Sequence, residues 1–162
     1  MDIQEAFDTA LSAEHESEVL YRGLAEQTED DRIREIFSYL ADEEKSHYAA
    51  INSLKKLYGL QEGDNRPVLP QRKFDIEALR TPIVTEKLKQ DIKSGRYESS
   101  TLAFAVQLEK NGVDHYAKIA KQVEDTNIKT FFESLSRWEQ DHHDFLENHF
   151  ENINKAAVRK NE

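Results

Sequence analysis

The sequence predicts an all-α fold, an antiparallel four-helix bundle made of two repeated helical hairpins with a long crossover, and three observations carry that prediction. The first is composition. Charged side chains make up 33% and hydrophobic ones 38% of 162 residues, with only five Gly and three Pro, a mix that suits long amphipathic helices better than sheets. The second is spacing: apolar residues step by three and four along separate stretches, as on a helix with one buried stripe. The third is repetition. Glu44-Lys45-Ser46-His47 recurs as Glu139-Gln140-Asp141-His142, at an offset of 139 − 44 = 95.

Taken in order, the first helix is expected from about Asp2 to Gln27, on the stripe Phe7, Ala10, Glu14, Ser17, Tyr21, Leu24. Thr28-Glu29-Asp30-Asp31 then supplies a turn and an N-cap, and so short a link makes the first two helices antiparallel neighbours. The second helix runs to about Tyr58 on the stripe Ile33, Phe37, Leu40, Glu44, His47, Ile51, Leu54, with Gly59 as its stop. Residues 59–98 form the crossover: Gly63, Pro67 and Pro70 mark an extended connection, and Thr81-Pro82 opens a short helix ending near Gly95. The third helix begins near Ser99 to Thr101 and runs to about Glu124, on the stripe Leu102, Ala105, Glu109, Gly112, Tyr116, Ile119. Asp125-Thr126-Asn127 makes the second turn. The fourth helix follows to about Asn154 on the stripe Ile128, Phe132, Leu135, Glu139, His142, Leu146, and residues 155–162 form a frayed tail. One domain over residues 1–154 results, long enough to bury roughly 68–70% of its unfolded surface.

Each Glu-x-x-His places an oxygen and a nitrogen ligand on one helix face, about 5–6 Å apart, at positions where core residues belong. The offset of 95 also carries Glu14 to Glu109 and Tyr21 to Tyr116, so both of these glutamates point inward as well. Two helices that give one Glu each and two that give Glu-x-x-His form the ligand set of ferritin-like di-iron and di-manganese carboxylate bundles. Four carboxylates in a core without compensation are costly, and two divalent cations cancel four negative charges. An oxygen-rich set with imidazoles and no thiolate suits two iron ions, with manganese as the alternative.

The formal net charge of −10 argues against a nucleic-acid or anionic-membrane partner and is compatible with attracting ferrous ions. Zero cysteines exclude disulfides, zinc-cysteine sites and iron–sulfur clusters, and the acidic start Met1-Asp2-Ile3-Gln4-Glu5 resembles no signal peptide, so a cytoplasmic location is expected.

The pattern Glu14…Tyr21, Glu44-x-x-His47, Glu109…Tyr116, Glu139-x-x-His142 resembles the rubrerythrin family of ferritin-like proteins, over essentially the whole chain except crossover and tail. The resemblance implies a di-iron site that reduces hydrogen peroxide, or reacts with dioxygen, in oxidative-stress defence. It also implies bridging roles for Glu44 and Glu139, terminal roles for Glu14 and Glu109, and one histidine, His47 or His142, on each metal. Two departures qualify it. Members with strong peroxidase character usually add a carboxylate one turn after the third-helix glutamate, where this chain has Gly112, so redox-linked movement of an iron between ligands is not carried over. Many members also carry a cysteine-ligated rubredoxin domain, and these residues include no cysteine. The reductant is then another redox protein.

Plainer readings stand beside these. Buried Glu and His can simply pair across the bundle, although repetition at every position argues for ligands. Tyr21 and Tyr116 are either core aromatics whose hydroxyls need a partner or donors to ligand carboxylates, and their place on the Glu14 and Glu109 stripes favours the second. His149 lies about 10.5 Å along the axis from His142 and reads as an end-of-bundle residue. His15, His115 and His143 lie beside the stripe and read as solvated or partner-facing, Trp138 as packing or a dimer face, and Arg72-Lys73 as solvated loop. The rival functions are a bacterioferritin-type ferroxidase, which requires a cage, a hydroxylase of an organic substrate, and a purely structural bundle. A homodimer is expected, with hairpins exchanged through the crossover.

Overall fold

Four helices form in the expected order in the computed structural model, which describes residues 1–60 and 97–159. They are α1 (Ile3–Gln27), α2 (Asp31–Leu57), α3 (Tyr97–Gln122) and α4 (Thr126–Arg159). The expected crossover features between Gly63 and Gly95, and Arg72-Lys73 with them, lie outside the described residues. α3 starts at Tyr97, slightly ahead of the expected Ser99. α4 continues to Arg159, past the expected end at Asn154.

The repeat extends to the caps. Asp30 accepts from the backbone N–H of Arg32 at 2.9 Å at the start of α2. At the same offset of 125 − 30 = 95, Asp125 accepts from Asn127 and Ile128 at 2.9 and 3.0 Å at the start of α4. Each satisfies backbone donors that the first helical turn leaves without partners. Gly59 ends α2 with a positive φ of 66°. Its N–H reaches the Lys56 carbonyl at 2.9 Å, and the Leu60 N–H reaches the Lys55 carbonyl at 3.3 Å. That double bond pattern needs a left-handed residue, which glycine adopts without a steric penalty.

Cross-bundle contacts fix the directions. Tyr21 bonds Glu109 while Tyr116 bonds Glu14, so α1 and α3 run antiparallel. His47 meets Glu139 while His142 meets Glu44, so α2 and α4 do too. With each hairpin itself antiparallel, α2 and α3 are parallel, the arrangement of a ferritin-like bundle with one crossover.

The apolar core divides into two plugs with a polar layer between them. One plug holds Tyr21, Leu24, Ile33, Phe37 and Leu40 with Leu102, Ala105 and Leu146. The other holds Phe7, Ala10 and Ile51 with Tyr116, Ile119, Ile128, Phe132 and Leu135. Adding or subtracting 95 converts each set into the other, so the bundle has an internal pseudo-two-fold axis through the polar layer. Among the described residues, no helix is long and apolar enough to cross a membrane.

Candidate metal centre

The polar layer contains all six residues that the spacing singles out. Glu14, Glu44, His47, Glu109, Glu139 and His142 come from four different helices, and none is more than 6% exposed. His47 Nδ1 lies 3.2 Å from Glu14 Oε2 and 3.3 Å from Glu139 Oε1. His142 Nδ1 lies 3.2 Å from Glu44 Oε1 and 3.5 Å from Glu109 Oε2. The two imidazoles stack nearly parallel, centroids 5.0 Å apart and planes 8° off. Each histidine therefore meets the single glutamate of its own hairpin and the Glu-x-x-His glutamate of the other.

The tyrosines orient this set. Tyr21 donates to Glu109 Oε1 and Tyr116 to Glu14 Oε1, both fully within the core. In each glutamate the tyrosine takes one oxygen, and the other turns toward a histidine nitrogen. The hydroxyls thus act as donors to inward carboxylates, and neither is an idle core aromatic. Burial and the facing carboxylates, Glu109 for Tyr21 and Glu14 for Tyr116, push both phenols well above their ordinary range, so they stay protonated donors.

Charge is badly balanced in this layer. Burial first, and then the neighbouring carboxylates, push Glu44 and Glu139 well above the usual carboxylate range. Burial opposes a charged His142, but the Glu109 and Glu44 carboxylates outweigh it and raise the imidazole to about 11. Glu109 feels the converse: burial raises it, yet contact with His142 brings it below its ordinary value.

Whether a metal fits is decided by the atoms with nothing to bond. Glu44 Oε1, Glu109 Oε2, Glu139 Oε1 and His142 Nδ1 are all buried without a hydrogen-bond partner. Buried polar atoms are nearly always satisfied, and these four belong to one cluster, His142 Nδ1 lying 3.2 Å from Glu44 Oε1 and 3.5 Å from Glu109 Oε2. Ligand atoms of Glu44, His47, Glu139 and His142 lie within 4.8 Å of one another. Oxygen and imidazole donors on opposite sides of a layer sealed by two apolar plugs fit hard or intermediate divalent cations.

Other expectations divide. His149 bonds the Phe145 carbonyl at 2.8 Å and stands outside the layer, as expected of an end residue. His143 lies on the outer face beside Asp144 at 3.2 Å, and His15 packs edge-on to Tyr48. His115 differs from expectation. Its Nε2 is buried without a partner, and burial, with Lys118 nearby, holds the imidazole below its ordinary value. It borders Tyr116 at a ring distance of 5.4 Å, one residue off the inward stripe.

Three neighbours take on contacts that the sequence reading did not give them, Glu43 having been passed over, Trp138 read as packing or a dimer face, and Gly112 noted only for lacking a carboxylate. Trp138 stacks on His47 with centroids 5.1 Å apart while remaining 36% exposed, so its packing is against a site histidine. Glu43 Oε2 lies 3.9 Å from His142 Nε2. Gly112 packs under Glu139: a Cβ there would sit 3.0 Å from Glu139 Oε2 and 3.1 Å from its Cγ. The only signal for the first two is their place, one residue before each Glu-x-x-His glutamate and related by the same offset of 95.

The rubrerythrin family model matches residues 5–148, with a second match over residues 100–161. The chain belongs to the rubrerythrin family. This rubrerythrin also resembles a solved structure described as a hypothetical protein, Pfu-1136390-001, from Pyrococcus furiosus, with a TM-score of 0.63 and 22% identity over 93% of this chain and 89% of that one. At that identity the likeness speaks for the fold alone. No curated protein sequence matches. Rubrerythrins are a di-iron family, and the buried Glu/His layer is compatible with a metal site of that kind.

Proposed function

We propose that this rubrerythrin is a di-iron oxidoreductase that reduces hydrogen peroxide, with dioxygen as a slower oxidant, in defence against oxidative stress. The observation that supports it most is the set of clustered unpartnered atoms lying directly beneath an open cleft. Glu14, Glu44, His47, Glu109, Glu139 and His142 would hold the two irons. When bound, two ferrous ions would supply the two electrons that, with two protons, convert hydrogen peroxide into two waters.

The chain's own residues set the conditions. Tyr21 and Tyr116 fix one oxygen of Glu109 and of Glu14, so the other oxygen of each is aimed before any metal arrives, which lowers the reorganisation cost of binding. The plugs around Phe37 and Phe132 keep water from reaching the layer along the bundle axis. Access is lateral, through a cleft of about 360 Å³ between α2 and α4, where His47 and His142 are both in the lining. Electrons come from a separate redox protein, and the working unit is a homodimer.

Stopped-flow absorbance of anaerobic ferrous-loaded protein, mixed separately with hydrogen peroxide and with air-saturated buffer, tests the reaction. Faster oxidation by peroxide is expected. Faster oxidation by dioxygen, with turnover of added ferrous iron and a cage-sized particle on size exclusion, would replace this reading with a bacterioferritin-type ferroxidase.

A further inference from the structure

The lateral cleft is far larger than the proposed oxidant needs. A water molecule occupies about 30 Å³ of liquid volume and hydrogen peroxide little more, whereas the cleft measures about 360 Å³, at the lower end of the range for organic ligands. Its walls are chemically specific. Tyr39 and Phe145, 5.2 Å apart, form one aromatic end, and Trp138 over His47 forms the other. Between them stand the carboxylates of Glu43 and Asp141, and no lysine or arginine lines the space.

The pseudo-symmetry marks this surface as specialised. The offset of 95 pairs Glu43 with Trp138, Ser46 with Asp141, Ala50 with Phe145 and Tyr39 with Ser134, so every lining position except the two histidines changes chemical character between the halves. The ligand layer and most of the plug residues beneath keep theirs.

We propose that this cleft is a binding site for a small organic cation, an ammonium group carried on a single ring or comparable apolar body. The ammonium sits between Glu43 and Asp141, and the apolar body lies against Trp138 or the Tyr39–Phe145 pair. Aromatic faces attract cations as well as apolar surface. Two carboxylates against one imidazolium, that of His142 lying 3.9 Å from Glu43, leave the lining net negative, which disfavours anions. A bound ligand lies over the outer edges of His47 and His142 and therefore competes with free access to the metal layer. Nothing in the site requires metal, so its failure is separable from failure of the peroxide reading.

Trp138 is the only tryptophan in the chain, and its fluorescence reports on the cleft directly. The metal-free protein of residues 1–162 is titrated with 2-phenylethylammonium, 2-phenylethanol and 3-phenylpropanoate. The ammonium compound should give a saturable change and bind at least about tenfold more tightly than the alcohol, the order expected for a cation–π contact plus two carboxylates, while the anion does not saturate. Glu43→Gln with Asp141→Asn should weaken ammonium binding by about tenfold or more and leave the alcohol unchanged. Glu26→Gln with Glu29→Gln, exposed and remote, controls for overall charge. Asp141→Asn alone changes an exposed helix position and covers the case in which the double variant misfolds. Equal affinity for ammonium and alcohol, ammonium binding unchanged in the folded Asp141→Asn and double variants, or no saturation would overturn the proposal.

Discussion

The first hairpin, α1 with α2, and the second, α3 with α4, share a frame offset by 95 residues, and they agree and differ in separate places. They agree in depth. The six Glu and His residues, both tyrosines, both cap aspartates and most of the plug residues recur in kind. Among their differences three bear on the site or on stability: the cleft rim, the position one turn past the single glutamate, and one end of the first hairpin. At that end Lys55, only 2% exposed, meets Asp8 at 2.6 Å, where the second hairpin has Phe150 and Ala103. Agreement marks what a layer of buried carboxylates demands from both sides at once. Difference marks what only one side has to do.

The largest effect should come from breaking the agreement. Glu44→Ala and Glu139→Ala should each abolish stable iron binding, measured as iron per chain after anaerobic loading and desalting. Retention of iron in one variant alone would show that the two hairpins are not equivalent as ligand donors.

The Lys55–Asp8 pair tests a difference. Asp8→Ala leaves a buried ammonium without its carboxylate and should cost about 3 kcal/mol in urea unfolding. Replacing both, Asp8→Ala with Lys55→Phe, copies the second hairpin and should recover most of that loss, since apolar substitutes for a buried pair are often neutral.

Tyr21→Phe and Tyr116→Phe sharpen the symmetry. Each removes one donor from a buried carboxylate, and outer hydrogen-bond partners of this kind are worth about 10–100-fold in metal affinity. The two losses should match. A one-sided loss would mean that one iron position depends on its tyrosine and the other does not.

The smallest change addresses Gly112 against Ser17. Gly112→Ala should leave the metal-free fold as stable as before, because alanine favours a helix by about 1 kcal/mol over glycine, which offsets the crowding. Iron affinity should still fall, since the new methyl group presses on Glu139. Ser17→Ala should change neither. The contact also gives a physical reason why no further carboxylate stands at this position: Glu139 already occupies the space above it.

Most of the site was legible because helical periodicity turns spacing into direction. Glu14, Glu44, His47, Glu109, Glu139 and His142 each sit on an apolar stripe, and a charged residue on such a stripe must face inward. The turns were legible through Asp30 and Asp125, whose side chains cap whatever follows them. Helix ends were less so. Nothing in Ser99 or Asn154 forbids a further helical turn, and both α3 and α4 extend beyond the expected bounds. Glu43 was missed, His115 was misjudged, and Trp138 was read as packing without its partner His47, for a different reason. They lie one residue off the stripe, and there the neighbouring helix decides between solvent and contact, which spacing within one helix does not encode.

An anaerobic ferrous titration of the metal-free protein, following proton release and Trp138 fluorescence together, tests the central claim most directly. His142 is raised to about 11 and so carries a proton near neutral pH that a metal must displace, and burial with neighbouring carboxylates raises Glu44 and Glu139 toward holding protons as well. Affinity should therefore rise with pH between 6 and 8, with protons released on each addition. Fluorescence should quench as iron binds to His47, on which Trp138 stacks, and both signals should end together at two irons per chain, the number a di-iron layer holds. Iron uptake with no proton release and no quenching would place the metal elsewhere and contradict the account.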